Sequence, residues 1–164
     1  MSDWPVGVRR AETADARSLA EVQARSQHTV LPSWTLVSDW QGLLPEEHCY
    51  AYLVEADDIF GVIRVGPVTE PDLVEGDTGE VLTWHLLPAW RGNGYGRRLL
   101  VHGLTVIKRL HFEQALIWVP IGCERALEVL SRLGFESTGA TRTSNVKGAA
   151  PEETAWSVNL EAYF

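Results

Sequence analysis

From Leu86 to Arg98 the sequence reads Leu-Leu-Pro-Ala-Trp-Arg-Gly-Asn-Gly-Tyr-Gly-Arg-Arg, with glycines at 92, 94 and 96 and arginines at 91, 97 and 98. Glycine admits positive φ and lets a ligand approach the backbone, so successive N–H groups in such a turn converge on one anion. An apolar-periodic stretch follows from about Gly94 to Leu110, with Leu100, Leu104 and Ile107 on one stripe. A helix starting there adds about half a positive charge at its N-terminus. The expected chemistry is phosphate binding by a cradle of Arg91, Gly92, Asn93, Gly94, Tyr95, Gly96 and Arg97. A plain strand-to-helix turn with solvated arginines would use the same residue types, so spacing has to separate the two. GxGxxG is absent, because counting from Gly92 puts Arg97, and from Gly94 puts Leu99, where the third glycine belongs; GxxxxGK[ST] is absent too. Dinucleotide and P-loop nucleotide binding are thereby disfavoured.

The chain carries 22 acidic and 14 basic residues, a net charge of −8, which disfavours phosphate polymers and anionic lipid as partners. This does not exclude a small phosphate ligand. At an effective dielectric near 20, an arginine about 6 Å from a phosphate contributes roughly 3 kcal/mol, whereas carboxylates beyond a Debye length of ~8 Å are screened. Cys49 and Cys123 form no CxxC, so neither a disulfide framework nor a cysteine-rich zinc site is expected, and a reducing cytoplasm fits best. No stretch approaches 18 consecutive apolar residues, and Met1 to Ala16 has no apolar leader segment, so no membrane association is expected.

These residues must be positioned by one mixed α/β domain over residues 1–164, as its length and its 45% apolar content suggest. Val6 to Arg10 reads as a strand and Thr13 to Gln27 as a helix, with Thr13 as its N-cap. One short helix is expected between Pro32 and Pro45. Cys49 to Ala56 and Ile59 to Val68 form a hairpin around Asp57-Asp58, and Thr69 to Thr78 is an acidic loop. Glu80 to Leu87 is a strand closed by Pro88. Ala115 to Val119, a continuous apolar run, reads as a buried central strand. Glu124 to Leu133 is helical and stops at Gly134. Phe135 to Thr143 and Thr154 to Tyr163 are the closing strands, around a loop from Asn145 to Glu153.

The spacing Arg-x-x-Gly-x-Gly at Arg91, Gly94 and Gly96, after a strand with Pro88 and before Leu99-Leu100, resembles the acetyl-coenzyme A signature of the GNAT family of N-acetyltransferases. Arg125-Ala126 and Leu133-Gly134-Phe135 are similar to that family's second half, and Val8 to Ala16 to its first strand and helix start. The resemblance implies a mostly antiparallel central sheet flanked by helices, and acetyl-CoA as co-substrate without a metal. It also implies that the backbone of Leu86 and Leu87 pairs with the pantetheine arm, that the N–H groups from Arg91 to Arg97 hold the pyrophosphate, and that the acetyl group passes by direct attack to a primary amine of a small molecule or peptide. A homodimer stays open. Two positions depart from the family pattern. Cys123 stands where an asparagine commonly contacts pantetheine, and Leu130 where a tyrosine often protonates the leaving thiolate. At pH 7 a thiol of pKa about 8.5 leaves as thiolate at a cost near 2 kcal/mol, while an alkylamine of pKa about 10.4 needs nearly 5 kcal/mol to lose its proton. Amine deprotonation is the larger burden, so an enzyme can dispense with the acid. The rival reading is a non-catalytic acyl-CoA binding or sensing module.

Glu80 and His85 are the candidate proton acceptors. The opposing readings are an exposed strand-end acid for Glu80 and a core histidine for His85. Period two puts Glu80, Leu82, Trp84 and Leu86 on one face and Val81, Thr83, His85 and Leu87 on the other, so both serve one site only if a bulge resets the phase. His102 and His111 are surface or packing residues, not a metal pair. Cys123 is expected to be a small packed residue. Trp34, Trp40 and Trp90 either wall an acceptor pocket or fill the core.

Overall fold

The computed structural model describes residues 7–27, 33–74, 76–143 and 152–162. Its elements are β1 (Val8–Arg10), α1 (Ala16–Gln27), α2 (Ser33–Leu43), β2 (Tyr50–Glu55), β3 (Ile59–Pro67), β4 (Thr78–Leu86), α3 (Tyr95–Arg109), β5 (Gln114–Pro120), α4 (Glu124–Arg132), β6 (Glu136–Thr143) and β7 (Glu152–Asn159). The strands form one seven-stranded sheet in the order β1-β2-β3-β4-β5-β7-β6. β1 with β2, β2 with β3, β5 with β7 and β6 with β7 pair antiparallel. β4 and β5 pair parallel over Thr78–Val81 and Gln114–Ile117, and α3 supplies the crossover that a parallel pair requires. The mixed, mostly antiparallel α/β architecture expected from the sequence is the one observed.

The chain divides into two compact units, Met1–Val65 with Thr83–Gly103, and Gly66–Leu82 with Leu104–Phe164. In the first, Leu19, Leu53, Phe60, Ile63, Leu99 and Leu100 are fully buried. There α3 approaches β3 so closely that a Cβ at Gly103 would stand 2.6 Å from Ile63 Cδ1. In the second, Leu104, Ile107, Leu116, Leu130 and Leu160 make the core, and all five residues of the apolar run Ala115 to Val119 are buried.

Several boundaries differ from the sequence expectation, among them β4, which runs Thr78–Leu86 rather than Glu80 to Leu87. The first helix opens with a 3₁₀ turn, Thr13–Asp15, capped at Glu12 rather than at Thr13. Asp15 accepts the Glu12 N–H at 2.7 Å and also holds the Arg9 guanidinium at 2.9 and 3.0 Å, which starts the turn one residue early. The last strand ends at Asn159 instead of Tyr163, because the buried Leu160 turns in and donates its N–H to the Glu113 carbonyl at 2.9 Å. It also begins earlier, at Glu152, where Arg142↔Glu153 and Thr143↔Glu152 continue the ladder with β6. Most of the loop placed at Asn145 to Glu153 lies outside the described residues.

Candidate active site

After β4, Pro88–Trp90 make a 3₁₀ turn, and aromatic packing holds the loop from beneath. The Trp90 ring stacks on Phe60 at 3.9 Å between centroids, and Tyr95 meets both edge-on at 5.1 and 5.7 Å. Such pairs contribute about 0.5–1.5 kcal/mol each beyond their buried area. The side chain of Tyr95 is therefore an anchor for the loop. Gly92 and Gly94 have φ of +85° and +86°, while Asn93 between them does not enter that region. Positive φ at alternate residues is the backbone pattern that turns successive N–H groups toward a common anion. The first helical hydrogen bond of α3 runs from the Arg98 N–H to the Gly94 carbonyl at 3.0 Å, so the N–H groups of Tyr95, Gly96 and Arg97 precede the helical ladder. A run of donors from Gly92 to Arg97 at a helix N-terminus fits a diphosphate.

Arg91 is employed otherwise. Its N–H donates to the Pro88 carbonyl at 3.2 Å, and its guanidinium reaches the Leu86 and Ser26 carbonyls, each at 3.2 Å. It ties the loop to the end of β4 and to the C-terminal turn of α1. The Leu87 N–H is bound to the Phe60 carbonyl at 2.9 Å. Because N–H directions alternate along an extended strand, that of Leu86 points to the other edge of β4.

β4 does not alternate regularly. A Cβ on Gly79 would stand 2.7 Å from Ile107 Cγ2, and the Trp84 indole donates to the Gly96 carbonyl at 3.0 Å, so an odd and an even position both face α3. The extra residue lies at Leu82-Thr83. Leu82 Cδ1 is 3.3 Å from the Cβ position of Gly66, and Thr83 shares a cleft wall with Arg64, which lies two residues from Gly66 on the same face of β3. Two successive side chains on one face make a β-bulge, and beyond it the phase is inverted. The regular alternation that would set Glu80 and His85 apart therefore does not run unbroken through β4.

Glu80 is not an exposed strand-end acid but is 2% exposed. Its Oε1 accepts the Thr69 N–H and hydroxyl, both at 3.1 Å. Burial pushes its carboxyl above the ordinary value near 4.5, against the Thr69 hydrogen bonds and the Arg142 charge. His85 is pushed down to about 4, first by burial and then by the Arg91 charge. It is neutral at physiological pH. A histidine depressed in the folded state binds its proton more weakly there than when unfolded, so stability present above pH 6.5 is lost as pH falls toward 4. The shift corresponds to about 3 kcal/mol. In chemical denaturation at pH 7 and pH 4, His85→Gln is expected to lack this part of the acid loss, and an unchanged pH dependence would refute the assignment.

The acetyltransferase (GNAT) family matches residues 13–135, which is most of the chain. The chain belongs to this family. Among solved structures of similar fold is the ribosomal-protein-S18-alanine N-acetyltransferase from Escherichia coli, at a TM-score of 0.72 and 14% identity over 94% of each chain. A protein from Salmonella typhimurium solved with its cofactor acetyl-CoA gives 0.71 and 17%, again over 94% of each chain. A spermidine N-acetyltransferase chimera from Vibrio cholerae gives 0.73 and 14%, over 97% of this chain and 98% of its own. Curated protein sequences give no match. The resemblance seen in the sequence is thus confirmed, and the protein is a GNAT acetyltransferase.

Within this GNAT chain the two departures have different surroundings. Leu130 is fully buried, and its carbonyl caps the end of α4 by accepting the Leu133 and Phe135 N–H groups. Cys123 is exposed rather than packed, because it is the residue just outside α4 and makes no side-chain cap bond. His102 packs edge-on against Tyr52 at 4.5 Å, and His111 takes φ of +72° where the chain leaves α3. Trp40 is buried, with its indole bound to Gln23 Oε1 at 3.0 Å, and lines a cleft of about 540 Å³ together with Asp39, Glu46, Arg64 and Thr83. Trp90 belongs to the packing under the loop, and the side chain of Trp34 lies outside the described residues. The partners of Glu80, above all Thr69 and Arg142, were not singled out from the sequence. Arg142 sits 73 positions from Thr69, and no periodicity signals such a pair.

Proposed function

We propose that this protein transfers the acetyl group of acetyl-CoA to a primary amine of a small molecule or peptide, by direct attack. The observation that carries this is the pair of positive-φ glycines, 92 and 94, feeding N–H groups into the start of α3. In this reading the N–H groups from Gly92 to Arg97 hold the diphosphate, and Arg91 fixes the loop that presents them. Bound acetyl-CoA supplies the thioester. The Leu86 N–H, directed away from Phe60, donates to the acyl carbonyl oxygen. Glu80 takes the proton of the amine, directly or through water. Its raised pKa makes it a better proton acceptor than an ordinary carboxylate, whereas His85, held near 4, keeps a proton poorly. Asp39 and Glu46 in the cleft beside Thr83 favour a cationic acceptor.

Titration calorimetry of coenzyme A against NAD tests the cofactor. Saturable binding of coenzyme A with no heat from NAD is expected, and preference for NAD ends this reading. The buried Leu130, where the family pattern carries a tyrosine, favours a second reading as an acyl-CoA sensor. A broad amine screen separates the two, since a sensor binds acetyl-CoA and leaves every amine unmodified.

A further inference from the structure

We propose that Arg142, on β6, is a positioning residue that acts through Thr69 to keep the Glu80 carboxylate oriented and charged; this rests on the reading of Glu80 as the proton acceptor. The sheet register puts the participants on one face. Glu80 pairs with Leu116, Trp118 with Ala155, and Glu153 with Arg142. Over this face Arg142 Nε donates to Glu153 Oε1 at 3.1 Å, and Nη1 donates to Glu70 Oε1 at 3.1 Å and to Thr69 Oγ1 at 3.3 Å. The central carbon of the guanidinium lies over the Trp118 ring, 4.3 Å from its centroid.

The hydrogen accounting gives this chain of contacts a direction. A threonine hydroxyl has one hydrogen and two lone pairs. With a lone pair taken by Arg142, that hydrogen is left for Glu80 Oε1, 3.1 Å away, beside the Thr69 N–H at the same distance. Glu80 Oε1 thus accepts two donors, one of them polarised by a guanidinium, and both favour the ionised form. Two carboxylates, Glu70 and Glu153, would suffice to tether Arg142 as a structural cation. The third contact, to the hydroxyl that touches Glu80, is not needed for tethering.

Among the described residues, the charged groups that act on Glu80 are Arg142 from β6 and Glu70 from the turn before β4, with Glu153 from β7 paired to Arg142, while β5 contributes the uncharged Leu116 and Trp118. Arg142 is the single cation in this group. Removing it takes away the attraction that opposes burial and leaves Glu70 to repel, so the Glu80 carboxyl must become harder to ionise.

The test uses Arg142→Met, which keeps chain length over Trp118 and deletes the charge, with Arg142→Lys and Thr69→Val beside it. The Glu80 carboxyl is titrated by ¹³C NMR in glutamate-labelled protein, with Glu80→Gln to assign the signal. Its pKa is expected to rise by about one unit in Arg142→Met and in Thr69→Val, and to return most of the way in Arg142→Lys. The acid limb of kcat/KM is expected to move to higher pH by the same amount, with KM for acetyl-CoA within about twofold of the parent. If the Glu80 signal in a folded Arg142→Met protein stays where it is in the parent, the inference is wrong. Thr69→Val removes neither ion pair and decides the matter should Arg142→Met not fold. If Glu80→Gln turns over normally, the base reading fails instead, and the two failures are told apart.

Discussion

A valine at position 94 is expected to leave a folded protein whose affinity for coenzyme A is lower by about a hundredfold or more. Gly94 holds φ of +86°, a conformation that costs a residue with a Cβ roughly 1–2 kcal/mol and a β-branched one more. The loop escapes that strain by flipping its peptide, and the flip withdraws N–H groups from the anion. Hydrogen bonds to a charged acceptor contribute about 1.5–3 kcal/mol each, and 2.7 kcal/mol is already a hundredfold. Gly96→Ala is the control. A Cβ there meets Trp84 at 3.7 Å, an ordinary contact, and no unusual φ is involved. It should bind within a few-fold of the parent. Calorimetry with coenzyme A reads the affinity, and thermal unfolding confirms that the fold is retained. Undiminished binding by Gly94→Val would remove the basis for assigning the loop to a diphosphate.

Glu80→Gln should lower kcat by about 10²- to 10⁴-fold, the usual contribution of a positioned general base, with little change in KM for acetyl-CoA. The stability of the same variant is predicted to move the other way. Burial raises the folded pKa of Glu80 above its ordinary value, so the native state binds that proton more readily than the unfolded chain does. The ionised carboxylate therefore costs stability, and the cost develops as pH rises from the ordinary carboxylate range through the folded pKa. Glutamine keeps an oxygen for Thr69 and carries no charge to bury. At pH 8 the variant should be at least as stable toward denaturant as the parent while being nearly inactive. A loss of stability equal to the loss of activity would point to a structural acid. A buried carboxylate that costs stability is the pattern expected of a group kept for chemistry, so retained stability joined to lost activity in Glu80→Gln would support the base assignment.

The parts of this molecule legible in its sequence are those governed by local rules. Glycines at 92 and 94 announce a positive-φ turn, because other residues pay a steric penalty there. The stripe Leu100, Leu104 and Ile107 fixes the buried side of α3, because its period equals that of the helix. The run Ala115 to Val119 declares a strand covered on both faces, and the order of elements specifies the family fold. Local rules also misplaced Thr13 as a cap and Cys123 as packing, where long-range partners or solvent decide.

What only the tertiary structure decided are relations that carry no period. Strict alternation along β4 is broken at Leu82-Thr83; whether an extra residue is accommodated depends on what β3 and α3 present to β4, not on β4 itself. The same holds for Arg91, whose spacing suggested a phosphate ligand but whose guanidinium is taken by the carbonyls of Leu86 and Ser26. Proton affinity is the clearest case. Nothing in the order of residues tells that Glu80 is raised and His85 lowered, because desolvation and nearby charge are set by segments that only folding brings together.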